Sequence, residues 1–192
     1  RRDFVSATPA ELASAVDETL AELGGLDILV NNAGTIRRAP VAEHSATDWN
    51  EVLAVNLDSV FHLSQAAGRH MIANGRGRII NVASMLSFQG GILVPGYTAS
   101  KHAVAGLTKA LANEWAASVV TVNAIAPGYM ATDNTAPLRA DEGRAASILA
   151  RIPAGRWGDA SDLQGAFVFL ASDAASYLTG TVIPVDGGWL VR

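Results

Sequence analysis

Hydrophobic positions along the chain fall into short unbroken runs that alternate with longer stretches of helical periodicity. The runs predict strands buried on both faces, and they are DILVN (27–31), RIINVA (78–83), VVTVNAIA (119–126) and TVIPV (181–185). The stretches around them predict helices over 9–24, 46–73, 97–117, 140–150 and 160–171. Strands that alternate with helices in this way are typical of an α/β fold built on a parallel sheet.

Two of the predicted helices carry recognisable start signals. A Ser or Thr followed three residues later by an acid is the pattern of an N-cap with a capping box, and it occurs at Thr8 with Glu11 and at Ser45 with Asp48. Asn74-Gly75 predicts the end of the helix that Ser45 begins.

Composition narrows the possible functions. The chain has 192 residues, of which 49% are hydrophobic, and this is enough for one domain with a sizeable core. Its 14 Lys and Arg against 18 Asp and Glu give a net charge of −4 without basic runs, so we expect no nucleic-acid partner. The chain has no cysteine and its four histidines lack metal-ligand spacing, so we expect no metal site and a cytoplasmic location. No apolar run approaches the roughly 18 residues of a membrane span, and we expect no membrane partner.

Polar and glycine residues interrupt the pattern directly after three predicted strands. The segments are NNAG (31–34), ASMLS (83–87) and APGYMAT (126–132). Ligands in open parallel sheets bind in the crevice beyond the carboxyl ends of the strands. We therefore expect these segments to converge on one crevice that binds a small molecule.

Ser84, Tyr97 and Lys101 form the strongest chemical pattern. Tyr97 and Lys101 are four residues apart on a predicted helix, so their side chains leave the same face. Ser84 lies 13 residues before Tyr97, at the end of the strand that leads into this helix. A phenol has a pKa near 10, and a nearby ammonium together with a cationic cofactor would favour its ionised form.

A hydroxyl donor beside an acid–base group is the arrangement that carbonyl–alcohol interconversion needs. The pattern supplies no hydride acceptor, so a cofactor is implied. Taken singly, each residue also has an ordinary structural interpretation: a tyrosine at a core or rim position, a serine in a turn, an asparagine on a helix surface.

The combination of motifs resembles the NAD(P)-dependent short-chain dehydrogenases/reductases over essentially the whole chain. The matching segments are LDILVNNAG, VNL with Asn56, GRIINVASM with Ser84, YTASK with Tyr97 and Lys101, VNAIAPGYMAT and VDGGW. The resemblance implies a Rossmann-type doubly wound parallel sheet in a single domain, 1–192, with NAD or NADP as the cofactor.

The resemblance also implies a role for each matching residue. Tyr97 would be the general acid/base and Ser84 the donor to the carbonyl oxygen. Lys101 would lower the pKa of Tyr97 and hold the nicotinamide ribose, and Asn56 would anchor a water that links Lys101 to solvent. The residues under the adenosine side of the cofactor, which also brace the sheet, would be Asn31, Ala33 and Gly34, and those around the nicotinamide would be Pro127, Gly128 and Thr132.

The sequence departs from the family pattern near its beginning. The family opens with a strand followed by T-G-x-x-x-G-x-G, whose glycines approach the cofactor pyrophosphate, and no such stretch occurs here. The resemblance places a strand at DFVSA (3–7), which would lack its neighbours. We therefore expect the sequence to be part of a longer chain, with about 50 to 60 preceding residues that would also distinguish NAD from NADP. A smaller departure is Val119, which stands where a helix-closing glycine is expected.

Within the family, the segments NNAGTIRRAP, SMLSFQGG and RIPAGRWG most resemble the dehydrogenases of sugar acids, with 2-dehydro-3-deoxy-D-gluconate or 2-deoxy-D-gluconate as the implied substrate. Arg37 or Arg38 could bind the substrate carboxylate in a bidentate pair, and Gln89 could contact its hydroxyls. Met130 and the residues up to Leu138 are expected to cover the substrate as a lid.

Other functions remain open at this point. They are reduction of 3-oxoacyl chains on a carrier protein, oxidation of another sugar or polyol, and a non-catalytic binding role on the same fold. The resemblance further implies a homotetramer formed through the two long helices, about 46–73 and 97–117.

Overall fold

A computed structural model of the chain describes residues 3–192 and contains a four-stranded sheet. Its strands are β1 (Ile28–Asn31), β2 (Gly77–Val82), β3 (Val120–Pro127) and β4 (Val182–Val185). The strands lie side by side in chain order, and every neighbouring pair is parallel. The α-helices are α1 (Pro9–Leu23), α2 (Ala46–Leu53), α3 (Ser59–Ala73), α4 (Pro95–Trp115), α5 (Ala136–Ala140), α6 (Glu142–Leu149) and α7 (Gln164–Ala171).

Helices cover both faces of the sheet, which confirms the predicted doubly wound α/β class. On one face α1, α3 and α4 pack over β2 and β3 around Met71, Trp115 and Val122. On the other face α7 packs through Leu170 against Ile80 and Ile125. Parallel strands joined by helices place all their carboxyl ends at one edge, and the loops there form the candidate site.

The predicted helix starts are present with the expected capping contacts. The Oγ1 of Thr8 accepts the Glu11 N–H at 3.3 Å, while the Glu11 carboxylate accepts the Thr8 N–H at 2.8 Å, and the two bonds complete a capping box at α1. The Oγ of Ser45 accepts the Asp48 N–H at 3.0 Å at the start of α2. These contacts satisfy backbone donors that have no partner within the helix.

The long helix predicted over 46–73 is interrupted by one π-helical turn. Ala54–Asp58 forms this turn between α2 and α3. A π turn accommodates an extra residue and changes the direction of the side chains that follow, which hydrophobic periodicity alone does not reveal. Asn56 lies inside it and is fully buried.

Two local expectations are wrong. Phe4–Ser6 form a turn rather than part of a strand, because the Ala7 N–H bonds to the Asp3 carbonyl at 3.0 Å and the Asp3 carboxylate accepts the Val5 N–H at 3.0 Å. Strand β1 is not buried on both faces, since Ile28 and Val30 are each 43% exposed. Both residues point to the same face of the sheet, where α7 packs over β2 and β3.

Val119 has a left-handed backbone, with φ 60° and ψ 27°, at the turn that joins the end of α4 to β3. This is the position at which the sequence pattern expects glycine, and the structure provides the reason for that expectation. A β-branched residue in this conformation brings its Cβ too close to the following carbonyl oxygen, at a cost of about 1–2 kcal/mol. The Val119 side chain is 58% exposed, so it gains little from packing.

We expect Val119→Gly to stabilise the protein by about 1 kcal/mol, because it removes this strain. Val119→Ala should recover only a small part of the gain, since Ala keeps the Cβ. Val168→Gly, at an exposed position in α7, should destabilise instead because glycine is a poor helix residue. Urea unfolding measures all three, and a loss of stability in Val119→Gly would contradict the assignment of strain.

Candidate active site

The candidate site lies at the carboxyl edge of the sheet, where three elements bring the predicted residues together. Ser84 follows β2 directly and caps a short 3-10 turn, Met85–Ser87. Tyr97 and Lys101 lie in the first turns of α4, and Asn56 enters from the π turn. Residues that are far apart in sequence therefore share one corner of the fold.

Ser84 is fixed by its own turn and faces the same cavity as Tyr97. Its Oγ accepts the Leu86 N–H at 3.2 Å, so its own O–H proton remains available for donation. The Ser87 hydroxyl accepts the Ser84 N–H at 3.3 Å and donates to the Lys101 carbonyl at 2.7 Å. These bonds tie the serine turn to α4 and keep Ser84 in register with Tyr97.

Lys101 carries a buried amine next to the tyrosine. The residue is 4% exposed, its Nζ donates to the Val82 carbonyl at 2.6 Å, and the same atom lies 5.5 Å from the centre of the Tyr97 ring. Burial lowers the pKa of Lys101 to about 8, because the charged form loses hydration. At neutral pH the side chain is therefore still an ammonium, with two N–H groups that the Val82 bond does not use.

Asn56 holds the loop after β1 against α4. Its Nδ2 donates to the Thr35 carbonyl at 3.0 Å and to the Ser100 hydroxyl at 3.2 Å, and its Oδ1 accepts the Thr35 N–H at 2.8 Å. Gly34 leaves room beside this group, because a Cβ built there would lie 3.6 Å from Asn56 Oδ1 and 3.9 Å from Lys101 Nζ.

The pKa of Tyr97 shifts in the opposite direction from the one that we expected from the sequence. Burial raises the pKa of Tyr97, while the hydrogen bond from Ser84 and the charge of Arg38 act to lower it. We expected Lys101 to lower this pKa. In the chain alone, desolvation of the phenolate outweighs the favourable charges around it.

A cleft of about 350 Å³ opens beside Ser84 and Tyr97. Of the other predicted residues, those that line it are Arg38, Gln89, Pro127 and Gly128. Three residues of the expected lid, Asn134, Thr135 and Leu138, also line it. The Arg38 guanidinium donates to the Asn134 carbonyl at 2.8 Å and so connects the loop after β1 to this segment.

Two predicted substrate residues do not face the cleft. The guanidinium of Arg37 is occupied by an ion pair with Glu51 at 2.8 Å. The side chain of Met130 is 7% exposed and packs against Gly158, with which it forms an isolated β-bridge. Met130 lines a separate cavity, so local pairing has turned it away from the cleft.

The residues expected on the adenosine side are dispersed. The Asn31 amide donates to Asn81 Oδ1 at 2.8 Å and to Ser64 Oγ at 3.0 Å, so it connects β1 to β2 and α3. Ala33 lines a smaller cavity of about 120 Å³. Thr132 is exposed in the loop after β3 and does not line the cleft.

Sequence reasoning missed two arginines of the cleft. Arg144 lies on α6 and Arg151 just beyond it, and both line the cleft together with Trp189. The sequence pattern gave only a partial signal, because Arg144 lies on a helix but Arg151 follows the end of that helix. With Arg38 they make three arginines that line the cleft, and no Asp or Glu lines it within residues 3–192.

Neither a metal site nor a membrane span is found in the described part of the chain. No group of three His, Asp or Glu side chains is placed to hold a metal ion there. No helix within residues 3–192 is both long and apolar enough to cross a bilayer.

A family model and individual relatives both match this chain over most of its length. A family model described as enoyl-(acyl carrier protein) reductase matches residues 6–190. The 2-dehydro-3-deoxy-D-gluconate 5-dehydrogenase of Escherichia coli strain K12 is 61% identical over 182 residues, which are 94% of this chain and 72% of that protein. The enzyme with the same description from Bacillus subtilis strain 168 is 61% identical over 181 residues, 93% of this chain and 71% of that protein.

A solved structure has closely the same fold as this chain. The gluconate 5-dehydrogenase of Burkholderia cenocepacia, in complex with NADP and tartrate, superposes with a TM-score of 0.96 at 41% identity. The match covers 100% of this chain and 74% of that one.

We expect Asn56→Ala to destabilise the protein by about 2 kcal/mol, because it leaves the Thr35 N–H and carbonyl without their partner. Asn50→Ala, at an exposed position on α2, is the matched control and should change stability by less than about 0.5 kcal/mol. Chemical unfolding monitored by circular dichroism gives both values. Equal stabilities of the two variants would show that the Asn56 amide does not hold the loop.

Proposed function

We infer that this chain, which belongs to the short-chain dehydrogenase/reductase family, interconverts a secondary alcohol and a ketone on a sugar acid with NADP or NAD as cofactor. The observation that carries the proposal is the cleft in which Ser84 and Tyr97 share their space with three arginines and no carboxylate. Relatives named for 2-dehydro-3-deoxy-D-gluconate, and a relative bound to NADP and the dicarboxylate tartrate, support the same substrate class.

The residues present fit a dinucleotide. Lys101 retains two unused N–H groups at neutral pH, and Gly34 leaves the space beside it open. Lys101 would hold the nicotinamide ribose, Pro127 and Gly128 would border the nicotinamide, and Ala33 with Gly34 would lie under the adenosine side. When bound, the cofactor exchanges a hydride with the substrate carbon, and its oxidised form adds a positive charge.

Tyr97 moves the proton at the substrate oxygen. In reduction its phenol donates a proton as negative charge develops on the carbonyl oxygen, and in oxidation the phenolate accepts the proton of the hydroxyl. The Ser84 O–H donates to the same oxygen and stabilises that charge, since the bond from the Leu86 N–H orients the hydroxyl without using its proton.

Lys101 and Asn56 support Tyr97. The buried ammonium near the Tyr97 ring favours the phenolate over the neutral phenol, which opposes the effect of burial. Asn56 fixes the surrounding loop and keeps one oxygen lone pair, which can accept a hydrogen bond from a water that connects Lys101 to solvent.

Arg38 and Gln89 are the sequence-predicted residues that would contact the substrate. The Arg38 charge acts on the pKa of Tyr97, so this guanidinium lies at the reacting end of the cleft. Its Nη2 is engaged by the Asn134 carbonyl, and its remaining N–H groups can bind a substrate oxygen. Gln89 lines the same cleft and can bind sugar hydroxyls.

A homotetramer in the cytoplasm is part of the proposal. Trp49, Phe61 and Ile72 on α2 and α3 are large apolar side chains between 36% and 37% exposed, which suits an interface between copies. The absence of cysteine fits a reducing compartment.

We expect Tyr97→Phe to lower the turnover of sugar acids by about 10²- to 10⁴-fold while the far-ultraviolet circular dichroism stays unchanged, because only the proton-transfer group is lost. Tyr177→Phe is the matched control, since Tyr177 is fully exposed and should leave turnover unaltered. The assay follows the absorbance of reduced cofactor with 2-dehydro-3-deoxy-D-gluconate, D-gluconate, D-sorbitol and a 3-oxoacyl thioester. Sugar-acid turnover no higher than background would reject the proposal, and preference for the thioester would support carrier-protein reduction instead.

We expect Arg38→Met to move the rise of the oxidation rate to higher pH. The rate rises with pH as Tyr97 loses its proton, and Arg38 lowers the pKa of that phenol, so removing its charge raises the pH at which the phenolate forms. Arg37→Met should leave the rise in place, because the Arg37 charge is paired with Glu51. Rate profiles of kcat/KM against pH test both variants, and coincident profiles for Arg38→Met and the unaltered enzyme would contradict this role.

A further inference from the structure

Arg151 is held in the cleft by an aromatic ring. Its guanidinium carbon lies 3.8 Å from the centre of the Trp189 ring, which is the geometry of a cation–π stack. Trp189 is itself 3% exposed and packs among Ala83, Met85 and Ile152. A buried ring is a rigid support, so the plane of the guanidinium is fixed before any ligand arrives.

The N–H groups of Arg151 are free to bind a ligand. Within the described part of the chain its side chain makes no hydrogen bond or ion pair, whereas Arg37 and Arg156 are each paired with a carboxylate. Stacking occupies the face of a guanidinium and leaves its edge, with five N–H donors, available. A carboxylate binds that edge through two parallel hydrogen bonds.

The charge of the cleft favours an anion at this position. Arg144 also lines the cleft, and no acidic side chain among residues 3–192 lines it. Without an opposing carboxylate, the full positive charge of Arg151 is available to a ligand.

Arg151 and Arg38 act on different parts of the substrate. The charge of Arg38 acts to lower the pKa of Tyr97, so Arg38 serves the reacting end of the cleft, whereas the guanidinium of Arg151 is stacked on the Trp189 ring. In a sugar acid oxidised at C5 the carboxylate is four carbons from the reacting carbon. Arg151, anchored on Trp189, therefore suits the carboxylate, and Arg38, whose charge acts on Tyr97, suits the groups beside the reacting oxygen.

We propose that Arg151, stacked on Trp189, is the specificity-determining residue that binds the carboxylate of the sugar acid and so selects acids over neutral polyols of the same length. This inference rests on the proposed function. The Trp189 ring contributes by orientation: it fixes the guanidinium plane, while the guanidinium supplies the charge and the paired donors.

The test compares unaltered holoenzyme with Arg151→Met, Arg151→Lys and the control Arg69→Met, an exposed arginine on α3 outside the cleft. Arg151→Met should raise KM for D-gluconate and 2-dehydro-3-deoxy-D-gluconate about tenfold or more, with kcat changed less than about threefold and kcat/KM for D-sorbitol unaltered. Arg151→Lys should have a KM between those of the unaltered enzyme and Arg151→Met. Lysine keeps the positive charge but cannot form the stacked, bidentate contact. Arg69→Met should match the unaltered enzyme.

Calorimetric binding of D-gluconate and D-sorbitol to each protein separates this inference from the proposed function. If the unaltered protein turns over no sugar acid yet binds D-gluconate more tightly than D-sorbitol, and Arg151→Met abolishes that preference, the proposed function fails and the anion site stands. Equal losses for acid and polyol in Arg151→Met would indicate a structural role and overturn the inference. An unchanged KM and an unchanged preference for the acid would overturn it as well.

Discussion

The buried ammonium of Lys101 is the constraint around which the rest of the site is arranged. Within residues 3–192 its hydrogen-bond acceptor is the Val82 carbonyl at the end of β2, so the cation is attached directly to the sheet. Taking an ammonium out of water is costly, and its pKa of about 8 reflects that cost. The Tyr97 ring lies beside the ammonium, and its phenolate form would attract that positive charge. Burial raises the pKa of Tyr97 and lowers that of Lys101, so in the chain alone the ammonium is the group whose pKa lies closer to neutral pH.

The topology of the sheet explains why these groups meet. Each strand delivers its following loop to the same edge, so the turn after β2 carries Ser84 to the start of α4, where Tyr97 and Lys101 lie. The Ser87 hydroxyl then connects that turn to the α4 backbone. Asn56 reaches the same corner because a π turn, rather than a regular helical turn, precedes α3. Several independent hydrogen bonds therefore hold an arrangement of side chains that no single element could hold alone.

The sequence predicted the parts of this arrangement that depend on local pattern. Apolar runs located all four strands, capping residues located the starts of α1 and α2, and the spacing of Ser84, Tyr97 and Lys101 located the corner where these three residues lie. It could not show which of two adjacent arginines faces the cleft, because the choice depends on Glu51, which takes Arg37 away from the cleft. Nor could it show that Met130 faces a cavity other than the cleft, since its β-bridge to Gly158 is a contact between distant segments. The π turn and the Arg151–Trp189 stack also depend on tertiary packing, which periodicity does not encode.

The two walls of the cleft differ in how extensively they pack into the hydrophobic core. Helix α4 holds Tyr97 and Lys101 at one end and buries Leu111 and Trp115 in the core at the other, so the chemistry is part of the scaffold itself. The opposite wall, from α5 through α6, contributes its cleft residues from short, mostly exposed elements. Substitutions in that wall can accumulate with little thermodynamic penalty, whereas those in α4 cannot. A lineage of such proteins can thus diversify the molecules it recognises while inheriting one reaction unchanged.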